Sequence, residues 1–262
     1  STYRPEVIIT EETSILPQRT QLKHVLLKKN GYSLIGNLGS NTIWVPRENF
    51  QKLAQFKTIT IVVPAYNNWE LLEACIESLR QYVAPHHRIV IMDDASPEEG
   101  FAEHIKNAIA DMPNAEYVRN TENLGFVQTC NTAVDMDTTT NDILLLNSDA
   151  ALTEGCLEEM LTCLYASERH GVCCPRSNAA TIFSIGRKNS EPAEAYACWQ
   201  HTKHLLSRFT KVPTGMAYCM LIRRDLIKKF TLFDTIYGKG YNEENDFCMR
   251  IGRHGYNVVA AN

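Results

Sequence analysis

A chain of 262 residues that is 44% hydrophobic and 21% charged has the length for one large α/β domain or two small ones, and the apolar content to bury a core. Its net charge of -4 provides no basic field, which argues against nucleic acid as a partner. No apolar stretch reaches the ~18 residues that cross a membrane, so no transmembrane segment is expected. Residues 1–10 lack the charged-then-apolar form of a secretory leader. Nine cysteines, an odd number with no C-x-x-C pair, suggest neither a disulfide framework nor a zinc site. A reducing compartment is the simplest setting, namely the cytoplasm or the cytoplasmic face of a membrane.

Residues 1–57 read as a linker or docking segment. Val7-Ile8-Ile9 and Tyr32-Ser33-Leu34-Ile35 form short apolar runs, with a Lys29-Asn30-Gly31 turn signal between them. From Thr58 the pattern sharpens. Thr58-Ile59-Thr60-Ile61-Val62-Val63 is β-branched throughout and predicts a buried strand ended by Pro64-Ala65-Tyr66-Asn67-Asn68. A helix from Trp69 follows, with Leu71, Leu72, Cys75, Ile76 and Leu79 on one face. The second strand, Arg88-Ile89-Val90-Ile91-Met92, ends in Asp93-Asp94-Ala95-Ser96. A helix over 101–110 leads to a short strand at Glu116-Tyr117-Val118. Asn120 to Phe126 then opens a helix through Cys130 and Val134. Ile143-Leu144-Leu145-Leu146 is a continuous apolar run, suited to a strand buried on both faces, and passes directly into Asn147-Ser148-Asp149. This alternation is the rhythm of βαβ units and predicts an α/β fold, a Rossmann-like, doubly wound, mostly parallel sheet. Neither G-x-G-x-x-G nor a P-loop occurs, which disfavours the dinucleotide-binding and P-loop versions.

Past residue 150 the regularity loosens into a smaller subregion. A helix is predicted over 154–165, a strand at Val172-Cys173-Cys174-Pro175, and a long loop region over 176–197. Tyr218-Cys219-Met220-Leu221-Ile222 is a further strand, and Arg223-Arg224-Asp225 reads as a solvated helix start. Tyr241-Asn242-Glu243-Glu244-Asn245-Asp246 opens the last helix, where acids favour the dipole and Arg250 is an i, i+4 partner for Asp246. His201 and His204 have helical spacing but no third ligand nearby, so no metal site is assigned to them.

In an open α/β sheet, ligands bind outside the carboxyl ends of the strands. Asp149 is therefore delivered to the ligand edge, where its carboxylate is a hard-oxygen ligand for Mg²⁺ or Mn²⁺. An Asx-type turn before the next helix would explain the same residues. Asp93 and Asp94 could accept from a base N–H, while Asp94 or Ser96 would serve equally as a helix N-cap. Tyr66 alone reads as core packing, Gly125 as a tight-turn glycine, and Asn131 as a capping or surface residue.

Four stations together resemble the family 2 glycosyltransferases with the GT-A fold. They are Val62-Val63-Pro64-Ala65-Tyr66-Asn67; Val90-Ile91-Met92-Asp93-Asp94-Ala95-Ser96; Asn123-Leu124-Gly125-Phe126 with Asn131; and Leu146-Asn147-Ser148-Asp149, a variant of that family's D-x-D motif. Gly215, Phe233-Asp234, the run from Tyr241 to Arg250 and Gly255-Tyr256 fit its acceptor half, so the likeness covers about 58–259. It implies one GT-A domain over 58–262, with 58–150 as the nucleotide-sugar half and 151–262 as the acceptor half.

The resemblance further implies an inverting transfer from a nucleoside-diphosphate sugar, UDP- or dTDP-linked, to a glycan or lipid-linked saccharide in polysaccharide biosynthesis. It assigns Mn²⁺ or Mg²⁺ to Asp149, with Asn147 in the place of the motif's first acid. Pro64, Ala65, Tyr66, Asn67, Asp93, Asp94, Asn123, Gly125, Asn131, Asn147 and Ser148 fall on the donor nucleotide, and Gly215 and Met216 on the acceptor. Glu244 stands at the general-base position, with Glu243 and Asp246 beside it. Many relatives carry a metal-binding His shortly after the segment matching Gly255-Tyr256, a point close to Asn262; a fragment lacking that His, or a shell completed by water, would account for this. Further domains of a larger chain are possible partners. The rival of another class is an inactive glycan-binding or scaffolding domain of a larger synthase. A sugar-nucleotide pyrophosphorylase would need a Gly-rich basic loop after the first strand, which 64–68 lacks.

Overall fold

The computed structural model describes residues 57–186 and 190–262 throughout. Before residue 57 it describes Pro5, 8–11, Lys23, 25–27, 29–38 and 41–46. In that first part, β1 (Ile8–Glu11), β2 (Tyr32–Leu38) and β3 (Asn41–Pro46) form an antiparallel sheet in the order β1-β3-β2. The strand β3 was not anticipated. Its Trp44 is fully buried, and Tyr32 of β2 is buried with its hydroxyl donating to Pro5 O at 2.8 Å.

The remaining strands form one eight-stranded sheet. In chain order they are β4 (Ile59–Ala65), β5 (Arg88–Asp93), β6 (Ala115–Arg119), β7 (Asp142–Leu146), β8 (His170–Cys174), β9 (Phe209–Val212), β10 (Cys219–Ile222) and β11 (Asn257–Ala261). The spatial order is β6-β5-β4-β7-β10-β8-β11-β9, and all but β9 and β10 point the same way. All seven residues of β4 are buried. A β-branched run buried on both faces is what a central parallel strand requires.

Helices cover both faces. Ile59, Ile61, Val63, Leu144 and Leu146 pack beneath α1 (Trp69–Tyr82), α2 (Phe101–Ala108) and α4 (Cys156–Tyr165). The alternate residues Val62, Ile143 and Leu145 pack against α3 (Phe126–Met136), α6 (Arg224–Phe230) and α7 (Glu243–Gly252). Among the described residues no helix is long and apolar enough to cross a membrane.

Strand order decides where a ligand can sit. The chain leaves β4 for β5 and β6 on one side, then returns to place β7 on β4's other side, with Ile59 beside Asp142 and Val62 beside Leu145. The connections diverge there, and the carboxyl ends of β4 and β7 open a crevice.

Several expectations need correction. Region 176–197 is not all loop: α5 (Pro192–Thr202) begins within it, with Pro192 in its first turn, a start signal legible in the sequence. Arg223 and Arg224 are not a solvated helix start. Arg224 is 6% exposed, ion-paired to Asp137, and donates to the carbonyls of Val134 and Asn141, each at 3.0 Å. Arg223 donates to His170 O at 2.7 Å and lies over the Tyr165 ring. Neither Asp94 nor Ser96 caps a helix, since Gly100 stands at the N-cap of α2. Tyr66 is not core but 48% exposed.

Candidate active site

The crevice holds a cavity of about 320 Å³. One wall is the turn after β4, from Pro64 to Asn68; the other is Asn147-Ser148-Asp149 after β7, with Asp94, Phe126 and Thr129 behind. Asn67 and Asn68 both take left-handed backbone, at φ 56° and 63°. That turn is laced to the turn after β5: Asn67 N–H donates to Ser96 Oγ at 2.9 Å, Asn68 N–H to Glu98 Oε2 at 2.8 Å, and Asp94 N–H to Ala65 O at 2.8 Å. Main-chain groups at the crevice are thus held by side chains and a main-chain N–H of the turn after β5.

Asp93 and Asp94 are both buried, and their oxygens are already engaged. Asp93 accepts from Ser96 N–H at 2.8 Å and Tyr117 Oη at 2.7 Å, and pairs with Arg119; it does not reach the cavity wall. Asp94 accepts from Leu124 N–H, Gly125 N–H and Asn120 Nδ2, each at 2.8 Å. Burial pushes its carboxyl up, but these donors and Thr129 outweigh that and hold it below the ordinary carboxylate range. Asp94 therefore ties the 120–125 turn to the cavity wall that it also lines.

That turn ends at Gly125, the N-cap of α3, with φ 80° and ψ 167°. Only glycine takes this region readily. A Cβ there would also meet Lys239 Cα at 3.2 Å, so the 238–240 loop lies directly on it. Asn123 is exposed and away from the cavity wall. Asn131 has both ends of its amide on Phe233, Nδ2 to its carbonyl at 2.8 Å and Oδ1 from its N–H at 3.1 Å. Asn131 thereby fastens α3 to the turn after α6.

At the end of β7, Asn147 N–H closes the sheet onto Tyr218 O at 2.9 Å, whereas its buried Oδ1 has no partner. Asp149 is exposed. It lines this cavity and also a second one, of about 550 Å³, on the far side of β7.

The acids of α7 diverge. Asn242, with φ 74°, turns the chain so that Glu243, Glu244 and Asp246 all fall in the first turn. Glu243 is 4% exposed with Oε2 unpartnered. Burial raises its carboxyl, and Glu244 adds to the rise against the N–H groups of Glu243 and Tyr241. It lies toward α3: burial first, then Glu243 and Asp94, raise the Cys130 thiol of that helix. Glu244 is half-buried and lines neither cavity; burial, with the Glu244 carboxylate adding, pushes the Cys248 thiol up to about 11. Gly215 sits there with its N–H on Cys248 Sγ at 3.2 Å, and Met216 lines the larger cavity. Asp246 instead accepts from Arg250 Nε at 2.7 Å, and Arg250 donates onward to the carbonyls of Thr231 and Leu232 at 2.9 and 2.7 Å. Asp246 thus braces the turn after α6.

The sequence profile of the family described as "Glycosyl transferase family 2" matches residues 60–231. The chain belongs to glycosyl transferase family 2. Its fold is the GT-A fold of solved glycosyltransferases. The mannosyltransferase PcManGT from Pyrobaculum calidifontis, solved with GDP-Man and Mn²⁺, superposes with a TM-score of 0.58 at 17% identity, over 93% of this chain and 64% of that one. GalNAc-T7, solved with UDP, GalNAc and Mn²⁺, gives 0.64 at 14% identity, over 96% of this chain and 52% of that one. This family 2 domain therefore spans between half and two thirds of those proteins. No curated protein sequence matches it.

Sequence reasoning missed Leu71 and Thr129 on the wall of the smaller cavity, Asn120, which holds Asp94 behind that wall, and most of the larger cavity, of whose lining it named Asp149 and Met216. Asn120 opens the stretch that led into the motif at 123–131, so its nearness to the motif was a usable signal. Nothing marked Thr129 among the polar residues of α3.

Proposed function

We propose that this domain is a nucleotide-sugar-dependent glycosyltransferase that transfers a sugar, with inversion, from a nucleoside diphosphate to a glycan or lipid-linked saccharide. The observation that carries this reading is Asp149, an exposed carboxylate at a strand end that lines two cavities at once. A donor in one and an acceptor in the other would meet beside it. That GDP-Man and UDP accompany Mn²⁺ in the two superposed structures supports a nucleoside diphosphate and a divalent cation here as well.

The residues present fit such a cation. Asp149 offers carboxylate oxygens, and Asn147 Oδ1 is a buried oxygen with no partner; both are the hard donors that Mn²⁺ and Mg²⁺ take. No cluster of three or more potential ligands occurs among the described residues, which suits an ion held largely by its own diphosphate and water. When bound, the ion would neutralise charge on the leaving diphosphate.

In this reading the turn from Pro64 to Asn68 forms the nucleoside wall, with the Tyr66 ring beside it. A uridine or deoxythymidine diphosphate is the donor part we assign to it. Asp93 and Asp94 act by holding that wall and its neighbouring turn in place. Glu244, in the first turn of α7, takes the proton from the attacking hydroxyl. Glu243, with its raised carboxyl, holds a proton more readily than an ordinary glutamate, and so lowers the repulsion between the pair. We place the reaction in polysaccharide assembly on the cytoplasmic side.

A donor-hydrolysis screen tests the proposal. UDP-, dTDP- and GDP-sugars are presented with Mn²⁺ to the wild type and to Asp149→Ala. Cleavage of one donor, lost in Asp149→Ala together with metal-linked nucleotide binding, is expected. If no donor is cleaved and none binds with metal, the domain is instead an inactive glycan-binding or scaffolding unit.

A further inference from the structure

Three sulfurs meet between α4 and β10, and the reading above uses none of them. Cys156 and Met160 stand at i and i+4 of α4 and so share one face of that helix. Cys219 opens β10, where it pairs with Leu146 of β7. The Sδ of Met160 lies 4.0 Å from Cys156 Sγ and 3.9 Å from Cys219 Sγ. Met160 and Cys219 are buried and Cys156 is half-buried. Both cysteines line the larger cavity, so the group has an open side and an entry path.

Other thiols of the fold turn to main-chain carbonyls. Cys75 donates to Asn147 O at 3.7 Å, Cys163 to Arg208 O at 3.5 Å and Cys174 to Met216 O at 3.7 Å. Those of Cys156 and Cys219 converge instead on a thioether, a weak acceptor. Burial pushes the Cys156 thiol up to about 12, with a main-chain hydrogen bond at Thr153 opposing the rise and Glu158 and Glu159 adding to it. Burial also lifts Cys219, and Cys156 is the neighbour that adds most, so two bare thiolates here would repel each other. A cation bound by both sulfurs would remove that repulsion.

The spacing and the donor atoms suit a soft ion. Metal–sulfur bonds of about 2.3 Å place the sulfurs of a planar three-coordinate site about 4.0 Å apart. Thiolate and thioether are the soft ligands that select copper(I), whereas carboxylate and carbonyl oxygens suit Mn²⁺ and Mg²⁺. No three histidine, cysteine or acidic side chains gather as ligands among the described residues. This group reaches three only through its methionine, a donor for soft ions alone.

We propose that Cys156, Met160 and Cys219 form a three-sulfur site for copper(I), loaded from the larger cavity. Binding makes two copper–thiolate bonds and one copper–thioether bond; the two thiol protons pass to solvent and the copper stays in its +1 state. The ion would tie α4 to β10 next to Tyr218, whose carbonyl accepts the Asn147 N–H at 2.9 Å. The site stands independently of the transferase reading.

Copper(I) is titrated without oxygen into the whole chain against bicinchoninate, a coloured competitor, with ascorbate as reductant. The wild type should withdraw one ion per chain, release two protons, gain an ultraviolet thiolate–copper band and keep the ion in excess Mn²⁺. Met160→Leu keeps every thiol and nearly the same volume, so it should fold as the wild type does. Its copper affinity should fall at least tenfold, since changes merely behind a metal ligand already cost about 10–100-fold. Cys219→Ser should lose the site, whereas Cys198→Ser, which removes a thiol outside the group, should bind as the wild type does. Melting curves of the metal-free variants check folding. The proposal is overturned if the wild type takes no copper from the competitor or if Met160→Leu binds as tightly as the wild type. It is overturned equally if Cys198→Ser weakens binding as much as Cys219→Ser.

Discussion

Replacing Gly125 by alanine probes the donor-side wall most sharply. Its backbone, at φ 80° and ψ 167°, lies where an L side chain is strained by about 1–3 kcal/mol. The new Cβ would also meet Lys239 Cα at 3.2 Å, and a backbone atom cannot swing aside as a side-chain tip can. Overpacking of this kind adds about 1–3 kcal/mol. The Gly125 N–H on Asp94 Oδ2 would be displaced with it. We expect Gly125→Ala to lose roughly 2–5 kcal/mol in urea unfolding, and to melt about 5–15 °C lower for a domain of this size. Nucleoside diphosphate affinity should fall as well, because Phe126, the next residue, and Asp94, which is bonded to this turn, line the crevice. Gly155→Ala is the control: its φ is also positive, at 75°, but its ψ is 0° and nothing lies within 4 Å of the added Cβ, so only about 1–2 kcal/mol is at stake. If the two variants lose equal stability, neither the Lys239 contact nor the extreme ψ at Gly125 has the assigned effect.

Further outcomes follow from the acidic groups. Asp94→Asn should be less stable than the wild type at neutral pH. Because the folded carboxyl lies below its ordinary value, the wild-type advantage is complete above the unfolded pKa of about 4 and shrinks as pH falls through the folded value. Melting curves from pH 7 to pH 2.5 check this, and a difference that grows in acid would contradict it. Glu244→Gln should leave nucleotide binding intact and reduce transfer about 10²–10⁴-fold, the usual worth of a general base. Transfer kinetics at saturating donor would show it, and a fall of less than a few-fold would move the base elsewhere.

The central half of the fold was legible because its signals are local. A β-branched run such as 59–63 or a continuous apolar run such as 143–146 is determined by its own residues, and the helix stripes between them fix the parallel connection. The order of the four stations was legible for the same reason: each lies at a strand end or helix start. The long region after residue 176 was not, since α5 has little core to bury and its periodicity is correspondingly faint.

Residue types alone assigned carboxylates to binding, but only the tertiary structure decided which remain available. Asp93 and Asp94 are consumed by hydrogen bonds from β6 and the 120–125 turn, and Asp246 by Arg250, partners that come from other elements or from the next turn of helix. Asn147 Oδ1 and Glu243 Oε2 are left unsatisfied by the same packing. Arg224, polar and charged, looked like surface until burial paired it with Asp137, 87 residues away in the chain. The sequence by itself determined strands β4 to β8 and β10, the parallel connection of β4 to β7 and the family's stations, because hydrophobic period and turn chemistry are written along the chain. Only the folded structure decided that Asp149 lines two cavities, that Glu243 is buried while Glu244 is not, and that Trp199 is only half-buried. Those facts depend on contacts between residues far apart in sequence, and no local pattern encodes them.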